Sequence, residues 1–145
     1  MQKFDPNDSL ATLLNKTTRA LSTRLQSIFT HAGFNVTSEQ WMILILLWGE
    51  DGRSPYQIAE IIGKDRAAVT RLIDGLERRN LVVRMNDKKD RRQKQVCLTP
   101  QGKDMEKNLI PLGLSNIKHA QTGISSKELE VCKEVLRKIF KNLTG

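Results

Sequence analysis

Hydrophobic residues return along this chain at the spacing of amphipathic helices. Over residues 8–32, leucine and isoleucine recur every three or four positions and form one apolar stripe. Residues 41–48 are apolar nearly all round, which predicts a buried core helix. Two further helices are predicted over 54–62 and 65–79, with Gly63 between them. Three pairs of residues have capping-box spacing and mark helix starts: Thr37 and Gln40, Ser54 and Gln57, and Ser125 and Glu128.

The second half of the chain begins with a predicted β-hairpin. Residues 81–84 and 95–98 are β-branched or apolar runs on either side of a polar loop. A helix then starts at Thr99 and Pro100 and ends near His119. The last helix places apolar side chains on a narrow seam of the kind that packs on another helix: Leu129, Cys132, Leu136, Ile139 and Leu143.

These elements predict a mainly α fold with a small β-hairpin. Residues 37–99 form one lobe, and residues 1–36 and 100–145 supply amphipathic helices that so small a lobe cannot fully bury. A chain of 145 residues is too short for two full independent domains. Two helices joined at Gly63 have the order of a helix-turn-helix, whose second helix lies in the major groove of DNA.

The polar face of that second helix suits a DNA groove. Its apolar positions turn inward at 100° per residue, which leaves these residues outward or on the flank: Arg66, Ala67, Thr70, Arg71, Asp74 and Arg78. The N-terminal half of this face is small or basic, so it can place an arginine on a guanine edge and a methyl group on thymine. The alternative is a polar face that contacts only solvent.

The loop of the hairpin carries the densest positive charge in the chain. Residues 84–94 hold six Lys or Arg and two Asp, so the loop must project into solvent. An arginine here suits a narrow minor groove, and Asp90 is expected to hold one arginine in an extended rotamer through a bidentate pair. Lys88, Lys89 and Lys94 are expected to contact phosphates. The alternative is a charged loop that only aids solubility.

The composition favours a polyanionic partner and argues against a single-stranded RNA platform, an enzyme and a metal site. The chain has 24 Lys and Arg against 16 Asp and Glu, a formal charge of +8. Aromatic residues are 5% of the total, few for a single-stranded RNA platform. Catalytic and metal-binding motifs are missing, so we expect no enzyme activity, cofactor or metal. No apolar run is long enough to span a membrane, and no hydrophobic signal core is found near residue 1. Cys97 and Cys132 are far apart in the sequence, so reduced thiols and a cytoplasmic location are expected.

Residues 51–102 resemble the winged helix-turn-helix of the MarR (multiple antibiotic resistance regulator) family. The most specific parts are the helix DRAAVTRLIDGLERR, the Asp90-Arg91-Arg92 tip of the loop, and the LTPQG that opens the next helix. One departure is Asn80, where the family usually has glycine; asparagine can also adopt the left-handed cap.

The resemblance implies a winged helix-turn-helix lobe flanked by N- and C-terminal dimerisation helices. It implies a transcriptional repressor that binds a pseudo-palindromic duplex as a homodimer, with recognition helices roughly 34 Å apart. Arg92 would enter the minor groove with Asp90 as its orienter, and Thr70 and Arg71 would contact the major groove. The expected DNA contacts are Ser54, Arg66, Ala67, Thr70, Arg71, Lys88, Lys89, Asp90, Arg91, Arg92 and Lys94. The expected dimer contacts are Leu10, Leu14, Leu129, Leu136, Ile139 and Leu143.

Members of this family usually respond to a small phenolic or amphipathic effector, or to cysteine oxidation. The peroxide-sensing branch has its reactive cysteine in the first helix, and this chain has none before Cys97, so oxidation is not expected. Effector candidates by the family's placement are Phe29, His31, Phe34, Trp41 and Met42; the alternative is that they are ordinary core residues. An alternative to DNA is a winged-helix module that binds RNA or a protein partner through the same basic surface.

Overall fold

The computed structural model describes residues 3–145. Within them the chain forms seven helices and one antiparallel hairpin, which confirms the mainly α fold with a β-hairpin. The elements are α1 (Leu10–His31), α2 (Ser38–Gly49), α3 (Pro55–Ile62), α4 (Arg66–Arg78), β1 (Val82–Asn86), β2 (Lys94–Leu98), α5 (Pro100–Asp104), α6 (Glu106–Ala120) and α7 (Ser126–Thr144). No helix of residues 3–145 combines the length and the hydrophobicity needed to cross a membrane.

The helix starts follow the predicted caps. All three predicted capping boxes are formed, at the starts of α2, α3 and α7. Gly63 ends α3 with a left-handed φ of 70°, and Asn80 follows α4 with a φ of 59°, as the cap prediction requires. Local chemistry therefore fixes where the helices of the lobe begin and end.

The predicted single helix from Pro100 divides into α5 and α6. Met105, between them, keeps right-handed backbone angles (φ −70°, ψ −19°). Its N–H still donates to the carbonyl of Gln101, so the break is local and α6 ends at Ala120, close to the predicted end. Thr99 and Pro100 mark the start of α5 as predicted, whereas the interruption at Met105 was not predicted.

The core forms around α2, as its all-round hydrophobicity predicts. Ile43 and Leu44 have no solvent exposure, and the α4 residues Val69 and Ile73 are equally buried in the same cluster. Phe29 of α1 joins it, with its ring centroid 5.3 Å from that of Trp41. Helix α4 is thus held by its apolar face, and its opposite face is left to solvent.

The hairpin is tied to the lobe by a third extended segment. Strands β1 and β2 pair antiparallel, with Val82 opposite Leu98 and Asn86 opposite Lys94. On the other edge of β2, the N–H of Val96 donates to the carbonyl of Arg53 at 2.8 Å. This bridge, which the sequence did not predict, fixes the base of the hairpin against the start of α3.

Helix α7 differs from the others because none of its residues is buried. Its apolar side chains form a broad face that includes Val135, Leu136, Phe140 and Leu143, and Leu143 is 80% exposed. A helix with an uncovered apolar face is not stabilised by its own chain alone. The structure therefore leaves this face available to a partner.

Candidate DNA-binding surface

Helix α4 presents the predicted face to solvent. Arg66, Ala67, Thr70 and Arg71 are all exposed. Asp65 caps the helix by accepting a hydrogen bond from the N–H of Ala68 at 2.7 Å. The hydroxyl of Thr70 donates to the carbonyl of Arg66 at 2.9 Å. The small and basic first half of this face is therefore free to meet a groove.

Asp74 is the exception on this face. It was expected to point into solvent, but its carboxylate pairs with Arg84 of β1 at 2.7 Å. The same guanidinium contacts Glu77 at 2.6 Å, and the backbone N–H of Arg84 donates to the other oxygen of Glu77 at 3.2 Å. One side chain of the hairpin thus bridges two carboxylates of α4 and fixes the angle between the two elements.

Arg84 is consequently a structural cation, although it belongs to the charged stretch 84–94. Its side chain is only 24% exposed. The sequence offered a signal for this role, because Asp74 and Glu77 lie three residues apart on one side of a helix. The signal was not decisive, since their alignment with β1 depends on the tertiary packing.

The tip of the hairpin is organised through its backbone. The carboxylate of Asp90 accepts a hydrogen bond from the backbone N–H of Arg92 at 3.0 Å, and Asp87 accepts one from Lys89 at 2.9 Å. The expected bidentate pair between Asp90 and an arginine is not among the ion pairs of residues 3–145. An exposed ion pair gains little in water, whereas an aspartate readily caps its own turn. Asp90 therefore shapes the loop and leaves the guanidinium groups free.

Most cations of the tip are available to a ligand. Lys88, Lys89, Arg91 and Arg92 are exposed. The ammonium group of Lys94 donates to the side-chain oxygen of Asn86 across the hairpin at 2.6 Å, so one of its three donors is already engaged.

The hairpin and the helix-turn-helix face each other across a cleft. Its walls come from the start of α3, the start of α4 and the returning arm of the hairpin: Ser54, Pro55, Tyr56, Arg66, Arg92, Gln93 and Lys94. Ser54 also caps α3. Four of the predicted DNA contacts are thereby brought together, and Tyr56 is a lining residue that the sequence did not single out.

The five effector candidates do not share one cavity. Phe29 is buried in the core, and Phe34 packs against it half-buried. His31 is exposed on α1, where its Nδ1 lies 2.8 Å from the carbonyl oxygen of Ser27. Trp41 and Met42 do line one cavity, of about 380 Å³, between α1, α2 and α6.

This cavity is mostly apolar, with a polar group at one wall. Its apolar lining includes Leu21, Leu25 and Ile117. Asn116, only 3% exposed, also lines it and joins two helices. The amide nitrogen of Asn116 donates to the carbonyl of Leu21 at 3.2 Å, and its oxygen accepts from Arg24 at 2.8 Å.

The two cysteines are free and differ in their surroundings. Cys97 is half-buried in β2, where burial raises the pKa of its thiol and the carboxylate of Asp51 raises it further. A raised pKa lowers the thiolate fraction at neutral pH, so Cys97 is a poor nucleophile. Cys132 is exposed on α7. Within residues 3–145, no group of three or more His, Cys, Asp or Glu is arranged to hold a metal ion.

The predicted dimer contacts are among the least buried apolar residues. Leu10, Leu14, Leu136 and Leu143 are all exposed. Leu129 and Ile139 are half-buried. The two ends of the chain therefore carry apolar surface that the lobe does not cover.

Comparisons with known proteins agree with this architecture. The MarR family model matches residues 36–94. The transcriptional repressor YetL of Bacillus subtilis (strain 168) is 28% identical over 128 residues, which are 86% of this chain and 77% of YetL. The crystal structure of transcriptional regulator PA3341 is 31% identical, with a TM-score of 0.79 over 93% of this chain and 98% of that chain.

A third match shares the fold at lower identity. The structure of a putative MarR family regulator from Listeria monocytogenes, complexed with 26mer DNA, has a TM-score of 0.83 at 20% identity and covers 94% of this chain and 89% of that one. The family model and the structure at 31% identity confirm the resemblance seen in the sequence. The chain belongs to the MarR family of DNA-binding transcriptional regulators.

Proposed function

We propose that the protein represses transcription by binding a pseudo-palindromic operator as a homodimer. In this proposal residues 37–99 read DNA, and residues 1–36 and 100–145 form the dimer. The observation that carries it is the cleft where α4 and the hairpin tip converge, with Arg66 on one side and Arg92 on the other. The proposal places this regulator, without catalytic activity, in the cytoplasm.

Each half of the surface has a distinct task in this proposal. The exposed face of α4 enters the major groove, where Arg71 donates to a base edge or phosphate and the methyl group of Ala67 meets thymine. The hairpin acts as a wing along the duplex, and Arg92 enters the minor groove. Asp90 supports Arg92 by holding the backbone of the tip. Lys88 and Lys89 contact phosphates, which release counterions.

Dimerisation gives this surface its specificity. A two-fold axis presents two copies of α4 and two wings, about one helical turn apart. The uncovered apolar faces of α1 and α7 support this assembly, because burying them against a second copy removes them from water.

A small effector would act through the cavity between α1, α2 and α6. Its apolar walls and the Asn116 amide suit a small amphipathic or phenolic molecule. Because α1 and α6 lie outside the reading lobe, a ligand that moved them would change the separation of the two copies of α4. Such a response is a coupling free energy between two sites.

The proposal is tested by Arg92→Ala in a duplex-binding titration. We expect the substitution to weaken binding by about 1–3 kcal/mol at an A·T-rich minor-groove position and to leave stability unchanged. Arg137→Ala, on the exposed polar face of α7, is the matched control and should bind like the wild-type protein. Wild-type affinity should fall steeply as salt rises.

Two results would contradict the proposal. One is equal wild-type affinity for single-stranded RNA and duplex DNA, which would favour an RNA-binding module. The other is unchanged duplex affinity in Arg92→Ala, which would remove the wing from the interface.

A further inference from the structure

Tyr56 and Arg66 form a cation–π contact at the mouth of the cleft. The guanidinium carbon of Arg66 lies 5.8 Å from the centre of the Tyr56 ring. Tyr56 is the second residue of α3, and Arg66 is the first residue of α4. The pair therefore joins the exposed starts of the two helices of the helix-turn-helix.

The tyrosine ring has no part in the core of the lobe. Its residue is 58% exposed, whereas Ile58 and Ala59 of the same helix are buried. The informative feature of this exposed ring is its contact, because the guanidinium group of Arg66 lies over its face.

Arg66 has no carboxylate to hold it. Among the ion pairs of residues 3–145, none includes Arg66, and the neighbouring Asp65 uses a side-chain oxygen to cap α4. A free arginine side chain visits many rotamers, which costs entropy when it binds a ligand. A cation–π contact with the ring restricts this freedom before binding takes place.

Contact with the ring supplies no hydrogen-bond acceptor, so the five N–H donors of the guanidinium group remain available for a ligand. Arg92 and Lys94 line the same cleft, so three cations surround one space. A DNA backbone phosphate is the ligand whose charge and oxygen geometry match this set.

We propose that Tyr56 is a positioning residue that aims Arg66 at a phosphate of the bound duplex. The inference rests on the proposed DNA-binding function and deepens it. Tyr56 acts through Arg66, so its effect requires that arginine.

The test measures binding of the protein to a mixed-sequence duplex as a function of salt. Phosphate contacts also operate in non-specific binding, so no operator is needed. Tyr56→Leu removes the ring, and Tyr56→Phe keeps its face. We expect Tyr56→Leu to weaken binding about two- to five-fold, the range of an exposed cation–π contact, and Tyr56→Phe to bind like the wild type.

A double-mutant cycle separates positioning from a general structural effect. Arg66→Ala should weaken binding and lower the slope of log affinity against log salt by about 0.9, the value for one phosphate contact. Tyr56→Leu should have no further effect in the Arg66→Ala background. A Tyr56→Leu effect that persists there would overturn the proposal, as would a loss in Tyr56→Phe equal to that in Tyr56→Leu.

The result also distinguishes failure of this inference from failure of the proposed function. If wild-type protein binds the duplex and Arg92→Ala weakens it while Tyr56→Leu does not, only the role of Tyr56 is wrong. If wild-type protein does not bind duplex DNA, the proposed function itself fails. Thermal unfolding of each variant should match the wild type, because both side chains are exposed.

Discussion

Helices α4 and α7 are both amphipathic, but the rest of the chain covers the apolar face of α4 only. Helix α4 buries Val69, Ile73 and Leu76 completely, and its polar face is left exposed. No residue of helix α7 is fully buried, and most of its apolar side chains remain exposed. The apolar face of α4 is therefore covered within one chain, whereas that of α7 is left available to a second protein surface.

The largest effect is expected from placing charges on the exposed apolar face of α7. Replacing Leu136 and Ile139 with lysine should convert the dimer to a monomer, because buried unpaired charges oppose association. Light scattering should then give half the wild-type mass. Operator affinity should fall by about 10²–10⁴-fold, since the second lobe no longer binds as part of one molecule.

A matched control adds the same charge on the opposite side of the helix. Glu130 and Glu134 are exposed on the polar face, and each forms a short-range pair with a lysine of α7. Replacing both with glutamine, which shifts the net charge by the same amount as the two lysines at Leu136 and Ile139, should leave the mass unchanged. A dimeric mass in the Leu136 and Ile139 variant would place the dimer contacts elsewhere.

The close packing of α5 against the lobe is tested next by adding a methyl group at Gly102. A Cβ there would lie 2.1 Å from the carbonyl oxygen of Leu81, which also accepts a hydrogen bond from the N–H of Thr99. Backbone held in this way cannot move aside cheaply, so Gly102→Ala should lower the free energy of unfolding by about 1–3 kcal/mol. Chemical denaturation measures it.

Gly49 provides the contrast, because a Cβ at this helical position would meet nothing within 4 Å. Gly49→Ala should therefore change stability by less than about 1 kcal/mol, in the stabilising direction. If both variants were neutral, the close contact between α5 and Leu81 would not limit stability.

A smaller effect separates the two kinds of cation in the wing. Arg84→Met removes the bridge to Asp74 and Glu77 and should cost about 1–2 kcal/mol of folding stability, a value reduced by the partial exposure of both carboxylates. Lys88→Met, in the exposed tip, should leave stability unchanged and only reduce the salt dependence of DNA binding. Denaturation and salt titration of both variants check this difference. Equal stability of the two would mean that the bridge does not hold the wing.

Features set by neighbouring residues could be predicted from the sequence. Helix starts followed from the capping boxes at Thr37, Ser54 and Ser125, and the exposed face of α4 followed from helical periodicity. Both depend on spacings of three or four residues, which are visible in the chain itself. The same spacing predicted an apolar seam on α7, but the exposed face is broader than that seam and also includes Val135 and Phe140.

Features set by tertiary alignment could not be predicted. The bridge between Arg53 and Val96 depends on how the α2–α3 connection meets β2, and periodicity carries no information about that. The same holds for Arg84, whose partners lie on another element. Asp90 accepts a hydrogen bond from the backbone of its own turn, because water weakens an exposed ion pair with an arginine side chain.

Selection of bound duplexes from a random DNA pool shows whether two copies of α4 bind one duplex together. The wild-type dimer should enrich an inverted repeat whose half-sites are centred about 10 base pairs apart, or a multiple of that spacing, because α4 is presented twice across a two-fold axis. Enrichment of a single unrepeated site, or no enrichment over the starting pool, would contradict the account.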